Sequence, residues 1–141
     1  MLKHIPANLS PDLVKVLMEM GHGDEIVIAD GNFPSASHAR QLIRLDGQSI
    51  PTVLASILTL FPLDTFVESP ITYMATPKDE PEPAIWERYA GIVLESDNES
   101  TIVEKVSRFE FYEQAKKAHA IIATSETELY ANVILKKGVI A

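Results

Sequence analysis

The stretch GHGDEIVIAD, Gly21 to Asp30, decides how the chain is read. Within it Glu25 to Ala29 (EIVIA) is a short β-branched run, the pattern of a buried strand. The run ends at Asp30-Gly31-Asn32-Phe33-Pro34, a loop composition. Upstream, Ser10-Pro11-Asp12 offers an N-cap, a first-turn proline and a carboxylate that complements the helix dipole. Leu13, Val14, Leu17, Met18 and Met20 follow at helical spacing, and Gly21 is expected to stop that helix. Downstream the alternation continues. Strands are expected over residues 41–46, 71–76, 102–107, 119–124 and 133–137, and helices over 51–61, 86–94 and 109–118. The acidic, proline-rich PKDEPEP (Pro77 to Pro83) is too short to divide domains and reads as a surface loop. Interleaved helices and strands point to an α/β fold built as one domain over residues 1–141.

Composition narrows the function. A chain of 141 residues with 46% hydrophobic and 23% charged residues buries a full core. Twenty acidic against twelve basic side chains leave a net charge of −8 at pH 7. That balance argues against nucleic acid and against an electrostatic membrane anchor. Cysteine is absent, which excludes disulfides, Cys-ligated zinc, iron–sulfur clusters and a thiol nucleophile, and fits a reducing compartment. Met1 to Ser10 lacks the apolar core of a signal peptide, and the longest apolar run, Ile50 to Leu63, is too short to span a bilayer. Without a secretory signal, the sequons at Asn8 and at Asn98-Glu99-Ser100 read as chance matches. No G-x-S-x-G elbow, Walker A loop, G-x-G-x-x-G or H-E-x-x-H is present. A nucleotide cradle, an elbow serine and a metal site therefore lack sequence support.

Among the ionisable residues, His22 lies between two glycines where a helix gives way to a strand, and Asp30 lies at that strand's carboxyl end, where open α/β sheets place their sites. These two make the leading site pair. His22 reads equally well as a solvated loop residue between turn-forming glycines. Asp64, after Pro62-Leu63, reads first as a turn residue. Arg108 and Tyr112 share a helical face at i,i+4, with core packing of the Tyr ring as the alternative. Tyr130-Ala131-Asn132 offers a phenol and an amide ahead of the last strand, or merely a turn. His119 opens a strand and reads as a boundary residue, and His4 and His38 have no partner pattern.

Taken together, GHGDEIVIAD, PLDTFVESP (62–70), RFEFYEQAKKA (108–118) and ATSETELYANVILKKGV (123–139), in this order and spacing, resemble the L-fucose mutarotase family, relatives of the D-ribose pyranases. The resemblance spans Leu9 to Val139, and PLDTFVESP and RFEFYE place it nearest the fucose branch. It implies a three-layer α/β/α sandwich with a mixed sheet. His22 would be the proton donor and Tyr112 a second catalytic residue, with Asp30, Asp64, Met74, Arg108, Tyr130 and Asn132 contacting substrate. It also implies a cytoplasmic, cofactor-free and metal-free isomerase that forms homo-oligomers, decameric rings included, with sites near subunit contacts. The chain departs from the fucose branch in having Ala131 where that branch usually has Gly, as ribose pyranases do, and His119 where it usually has Phe. Ala131 would set a methyl beside the site. The expected substrate is L-fucose. The alternatives are pyranose–furanose conversion of ribose and a monosaccharide-binding protein without turnover.

Overall fold

The computed structural model describes residues 1–98 and 102–141. The second sequon runs into residues 99–101, outside that description. The elements follow the sequence closely. They are α1 (Pro11–Glu19), β1 (Glu25–Ala29), α2 (Ser35–His38), β2 (Leu42–Leu45), α3 (Ile50–Leu58), β3 (Ile71–Met74), α4 (Ile85–Glu95), β4 (Val103–Val106), α5 (Arg108–Lys117), β5 (Ala120–Thr124) and β6 (Val133–Lys136). Ser10 caps α1 as its sequence suggests, its side chain accepting the Leu13 N–H at 3.2 Å. Two local expectations are corrected. The helix ends because Met20 turns extended (φ −68°, ψ 133°) and buries its side chain, not because Gly21 adopts a left-handed conformation. Met18 points into solvent, and α1 buries Leu13, Val16 and Leu17 instead. The four-residue α2 is too short to leave a periodicity in the sequence.

The six strands form one sheet in the order β2-β5-β1-β6-β3-β4. β1, β2 and β5 run parallel, as do β3 and β4, and β6 joins the two sets by lying antiparallel to both β1 and β3. The sheet is therefore mixed. Both faces are covered, which explains why β1 and β5 read as continuous apolar runs without alternation. Side chains on β1 alternate all the same. Ile26 and Ile28 face one core, shared with Leu13 of α1, Leu54 and Ile57 of α3, and Tyr89 of α4. Val27 and Ala29 face the other, shared with Phe33, Phe111 and Ala115. Helices α1, α3 and α4 thus cover one face while α5, with the short α2, covers the other, giving the α/β/α sandwich.

The sheet has two functional ends. β1, β3, β4 and β5 finish at one edge, termed the carboxyl end, and β6 begins there. The opposite edge, the amino end, receives the chain entering β1 and β3 and leaving β6. No described helix is long and apolar enough to cross a membrane.

Candidate active site

Six of the eight expected site residues gather at the carboxyl end. Asp30 follows β1 directly and is 8% exposed. Its backbone N–H donates to Asn132 Oδ1 at 2.7 Å, and its carboxylate accepts the Asn32 N–H at 2.9 Å. Burial pushes the Asp30 carboxyl above its ordinary value, and the nearby Glu126 adds to the rise; the N–H groups of Asn32 and Phe33 and the Asn132 side chain oppose it. Asn132 thus serves Asp30 twice, its oxygen accepting the backbone N–H and its side chain favouring the ionised carboxylate. Tyr130 stands in the left-handed region (φ 56°), an unusual conformation for a residue with a side chain. Helix α4 holds that turn. Trp86 Nε1 donates to the Tyr130 carbonyl at 2.9 Å, and the Tyr89 hydroxyl donates to the Ala131 carbonyl at 2.7 Å.

Arg108 opens α5, its guanidinium lying over the Tyr112 ring at 5.3 Å and its Nε donating to the Tyr112 hydroxyl at 3.3 Å. The i,i+4 pair expected from sequence is therefore formed. Tyr112 is also flanked edge-on by Phe33 at 5.2 Å and by His38 at 5.4 Å. His38 had no partner in the sequence, because its neighbour lies 74 residues away across the fold. Met74 closes β3 and is 5% exposed within the same core as Phe33 and Phe111. Ala131 is fully buried in the other core. Its methyl packs against the α1/α3/α4 layer, which corrects the expectation that it bears on sugar fit.

The remaining two residues occupy the amino end. His22 Nε2 lies 2.9 Å from Asp64 Oδ1, with side-chain exposures of 40% and 3%. Asp64 also makes the turn its sequence setting suggests, since the same oxygen accepts the Phe66 N–H at 3.0 Å. Burial raises its carboxyl, but the Phe66 N–H and the His22 ring outweigh burial and hold it below the ordinary carboxylate value. The segment is pinned to the end of β6 by Asp64 N–H donating to the Lys136 carbonyl at 3.0 Å and Gly138 N–H to the Pro62 carbonyl at 2.8 Å. Gly138 is required there, because a Cβ would meet the Leu63 carbonyl oxygen at 2.5 Å. Gly23 takes the positive φ (87°) that turns the chain into β1.

His22 and Asp30 are therefore not a pair within one chain. They flank the two ends of β1, whose five residues at about 3.3 Å each span about 17 Å. Sequence proximity misled because residues before and after a strand lie at opposite edges of the sheet. Each half is chemically plausible alone. One is a His–carboxylate pair suited to proton transfer; the other is a polar cluster suited to holding hydroxyl groups. Among the described residues, no three His, Asp or Glu side chains converge as a metal-ligand set.

The sequence pattern of the RbsD / FucU transport protein family matches residues 3–140. The fucose mutarotase of Mus musculus is 51% identical over 144 residues, covering 97% of this chain and 94% of that protein. A crystal structure of the fucose mutarotase from Streptococcus pneumoniae in complex with L-fucose is 54% identical, with a TM-score of 0.95, over 99% of this chain and 100% of that one. The structure of Bacillus subtilis RbsD complexed with D-ribose is 28% identical, with a TM-score of 0.72, over 94% of this chain and 95% of that one.

Proposed function

We infer function from the premise that this chain belongs to the RbsD / FucU transport protein family, and within it the chain is an isomerase that interconverts the α and β anomers of L-fucose. The observation that carries this is the 54% identity, over 99% of the chain, to a fucose mutarotase solved with L-fucose bound. The relative bound to D-ribose is more distant in both sequence and structure, which favours fucose over ribose.

Anomer exchange opens the pyranose to its free aldehyde and closes it on the other face. Opening requires a base for the anomeric hydroxyl proton and an acid for the ring oxygen, and closure reverses their roles. Only protons move between enzyme and sugar, so the reaction calls for neither metal nor cofactor. Residues 1–141 serve as one mutarotase domain. In this reading Asp30, Arg108, Tyr130 and Asn132 hold the sugar hydroxyls at the carboxyl end, above Met74. Tyr112 is one proton-transfer group and His22 the other.

The division of these residues between opposite ends of the sheet supports a homo-oligomer in which the amino end of one copy completes the carboxyl end of the next. Apolar side chains exposed at both ends support the same assembly: Phe66, Val67, Val139 and Ile140 near His22, and Phe109 and Leu129 near the sugar cluster. A contact between unlike faces generates a ring when its rotation closes. The chain works in the cytoplasm, a reading supported by the absence of cysteine.

Saturation transfer between the anomeric protons of L-fucose tests the activity. Added protein should speed exchange on fucose well beyond buffer, more than on D-ribose, and His22→Ala should reduce it about 10²–10⁴-fold with the fold intact. Exchange equal to that of buffer alone would refute the enzyme reading.

A further inference from the structure

We propose that His38 is a positioning residue: its ring, together with that of Phe33, aims the Tyr112 phenol for proton exchange with fucose. The proposal rests on the reading of Tyr112 as a proton-transfer group. Tyr112 is half-buried on α5, and its own helix does little to aim it. Arg108, one turn earlier, is exposed, and its Nε reaches the hydroxyl at 3.3 Å, a long bond between two side chains carried by the same helix. The firmer walls come from the segment that follows β1. Phe33 is 8% exposed, stands edge-on to the fully buried Phe111 at 5.9 Å, and meets Tyr112 at 5.2 Å and 80°. His38, the last residue of α2, meets Tyr112 at 5.4 Å and 83°, and lies 6.2 Å and 67° from Phe33. Each of the three rings thus stands edge-on to the other two, an arrangement that aromatic quadrupoles favour, and Tyr112 sits in the corner the other two make.

His38 is itself tethered. Its Nδ1 lies 3.0 Å from Ser37 Oγ, and that hydroxyl lies 3.2 Å from the Pro34 carbonyl oxygen. A carbonyl only accepts, and a hydroxyl has one proton to give, so Ser37 donates to Pro34 and accepts from Nδ1–H. The neutral Nδ1–H ring and the imidazolium both make that bond, so the tether survives titration of the ring. The same segment begins at Asp30, whose carbonyl accepts the Phe33 N–H at 3.2 Å. One run of chain, residues 30–38, therefore sets both a sugar-holding carboxylate and the walls around Tyr112. Proton transfer needs its two heavy atoms within about 2.6–3.2 Å, and a misplacement of about 1 Å costs about 10²-fold. A phenol that loses one wall samples directions outside that reach. The loss falls on turnover and not on the hold on fucose, which belongs to Asp30, Arg108, Tyr130 and Asn132. The surface of the His38 ring supplies the wall; its charge is not required.

Nuclear magnetic resonance of the Tyr112 ring and exchange rates of three variants test the proposal. In the wild-type protein, Overhauser contacts should join the ring protons of His38 to those of Tyr112; their absence overturns the proposal, even where a variant fails to fold. His38→Ala should shift the Tyr112 ring signals and lower exchange at saturating fucose about 10-fold, with the dissociation constant for fucose within about twofold of wild type. His38→Phe keeps a ring and removes the titratable group. It should return the Tyr112 signals toward wild type and recover exchange to within about threefold, with the pH dependence unchanged. A His38→Phe variant as slow as His38→Ala overturns the proposal, because the imidazole proton and not the ring would then be what matters. So does a His38→Ala variant that exchanges fucose at the wild-type rate while Tyr112→Phe is slow, or one whose loss lies wholly in fucose affinity. Wild-type exchange in Tyr112→Phe would instead sink the proton-transfer reading of Tyr112, and the ring contacts would remain a separate result.

Discussion

Asp30 and Asp64 are both buried carboxylates at the ends of the sheet, yet their surroundings act on them in opposite directions. Around Asp30, burial dominates and favours the protonated form. Its ionisation therefore weakens the fold as pH rises from the ordinary value of 3.8 through the raised one, and the penalty is fully present above that raised value. Asp30→Asn keeps an oxygen for the Asn32 N–H and removes the charge. It should melt higher than wild type at pH 7, lose that advantage in acid, and exchange fucose anomers more slowly. Asp64 behaves in reverse, because the Phe66 N–H and His22 favour its ionised form. Its stabilisation is present above 3.8 and is lost as pH falls through the lowered value. Asp64→Asn should therefore melt lower than wild type at pH 7, with the gap closing in acid. Thermal melts of both variants across pH check the pair of signs; equal shifts for the two would contradict them.

Among the elements, α4 has the clearest duty toward the site. It lies in the layer on the far side of the sheet from α5, yet Trp86 and Tyr89 reach the carbonyls of Tyr130 and Ala131. Those two bonds hold a turn whose Tyr130 stands at positive φ. Tyr89 is 1% exposed, so its hydroxyl has no water to replace the bond, and Tyr89→Phe orphans a buried carbonyl. The variant should lose about 1–3 kcal/mol in urea unfolding. It should also bind fucose more weakly, because Tyr130 and Asn132 would be less well held. An unfolding midpoint and fucose affinity both equal to wild type would show that the turn holds itself.

At the scale of the whole molecule, the division of residues between two ends of the sheet makes mixing the informative experiment. His22→Ala damages only the amino end and Arg108→Ala only the carboxyl end. Co-expressed in equal amounts, the two inactive variants should recover activity, with about a quarter of the sites receiving both wild-type halves if copies assemble at random. Recovery of nothing from two soluble, oligomeric variants would mean that each chain builds its own site. The net charge of −8 on every copy opposes assembly, so sedimentation velocity should show tighter association as salt rises to the physiological range. A single monomeric species that is active on fucose would contradict the shared site.

The sequence by itself determined those features that depend on neighbours along the chain. The Ser10 cap, the unbroken apolar runs of β1 and β5, and the Arg108–Tyr112 spacing each involve residues within a turn or a strand of one another, and each could be read directly. The four-motif resemblance determined the family and with it the sandwich. Only the tertiary structure decided which strand runs against the others, because a period of two is the same in either direction and cannot mark β6 as antiparallel. It also decided that α3 is capped from afar, Glu126 Oε1 accepting the Ile50 N–H at 3.1 Å while Ser49 makes no side-chain cap. The sequence likewise gave no sign that His22 meets Asp64 across 42 positions or that Tyr112 meets His38. Such contacts arise from strand order and register, which are set by how two cores close over both faces of one sheet. The same geometry parts His22 from Asp30, since a strand carries whatever precedes it and whatever follows it to opposite edges.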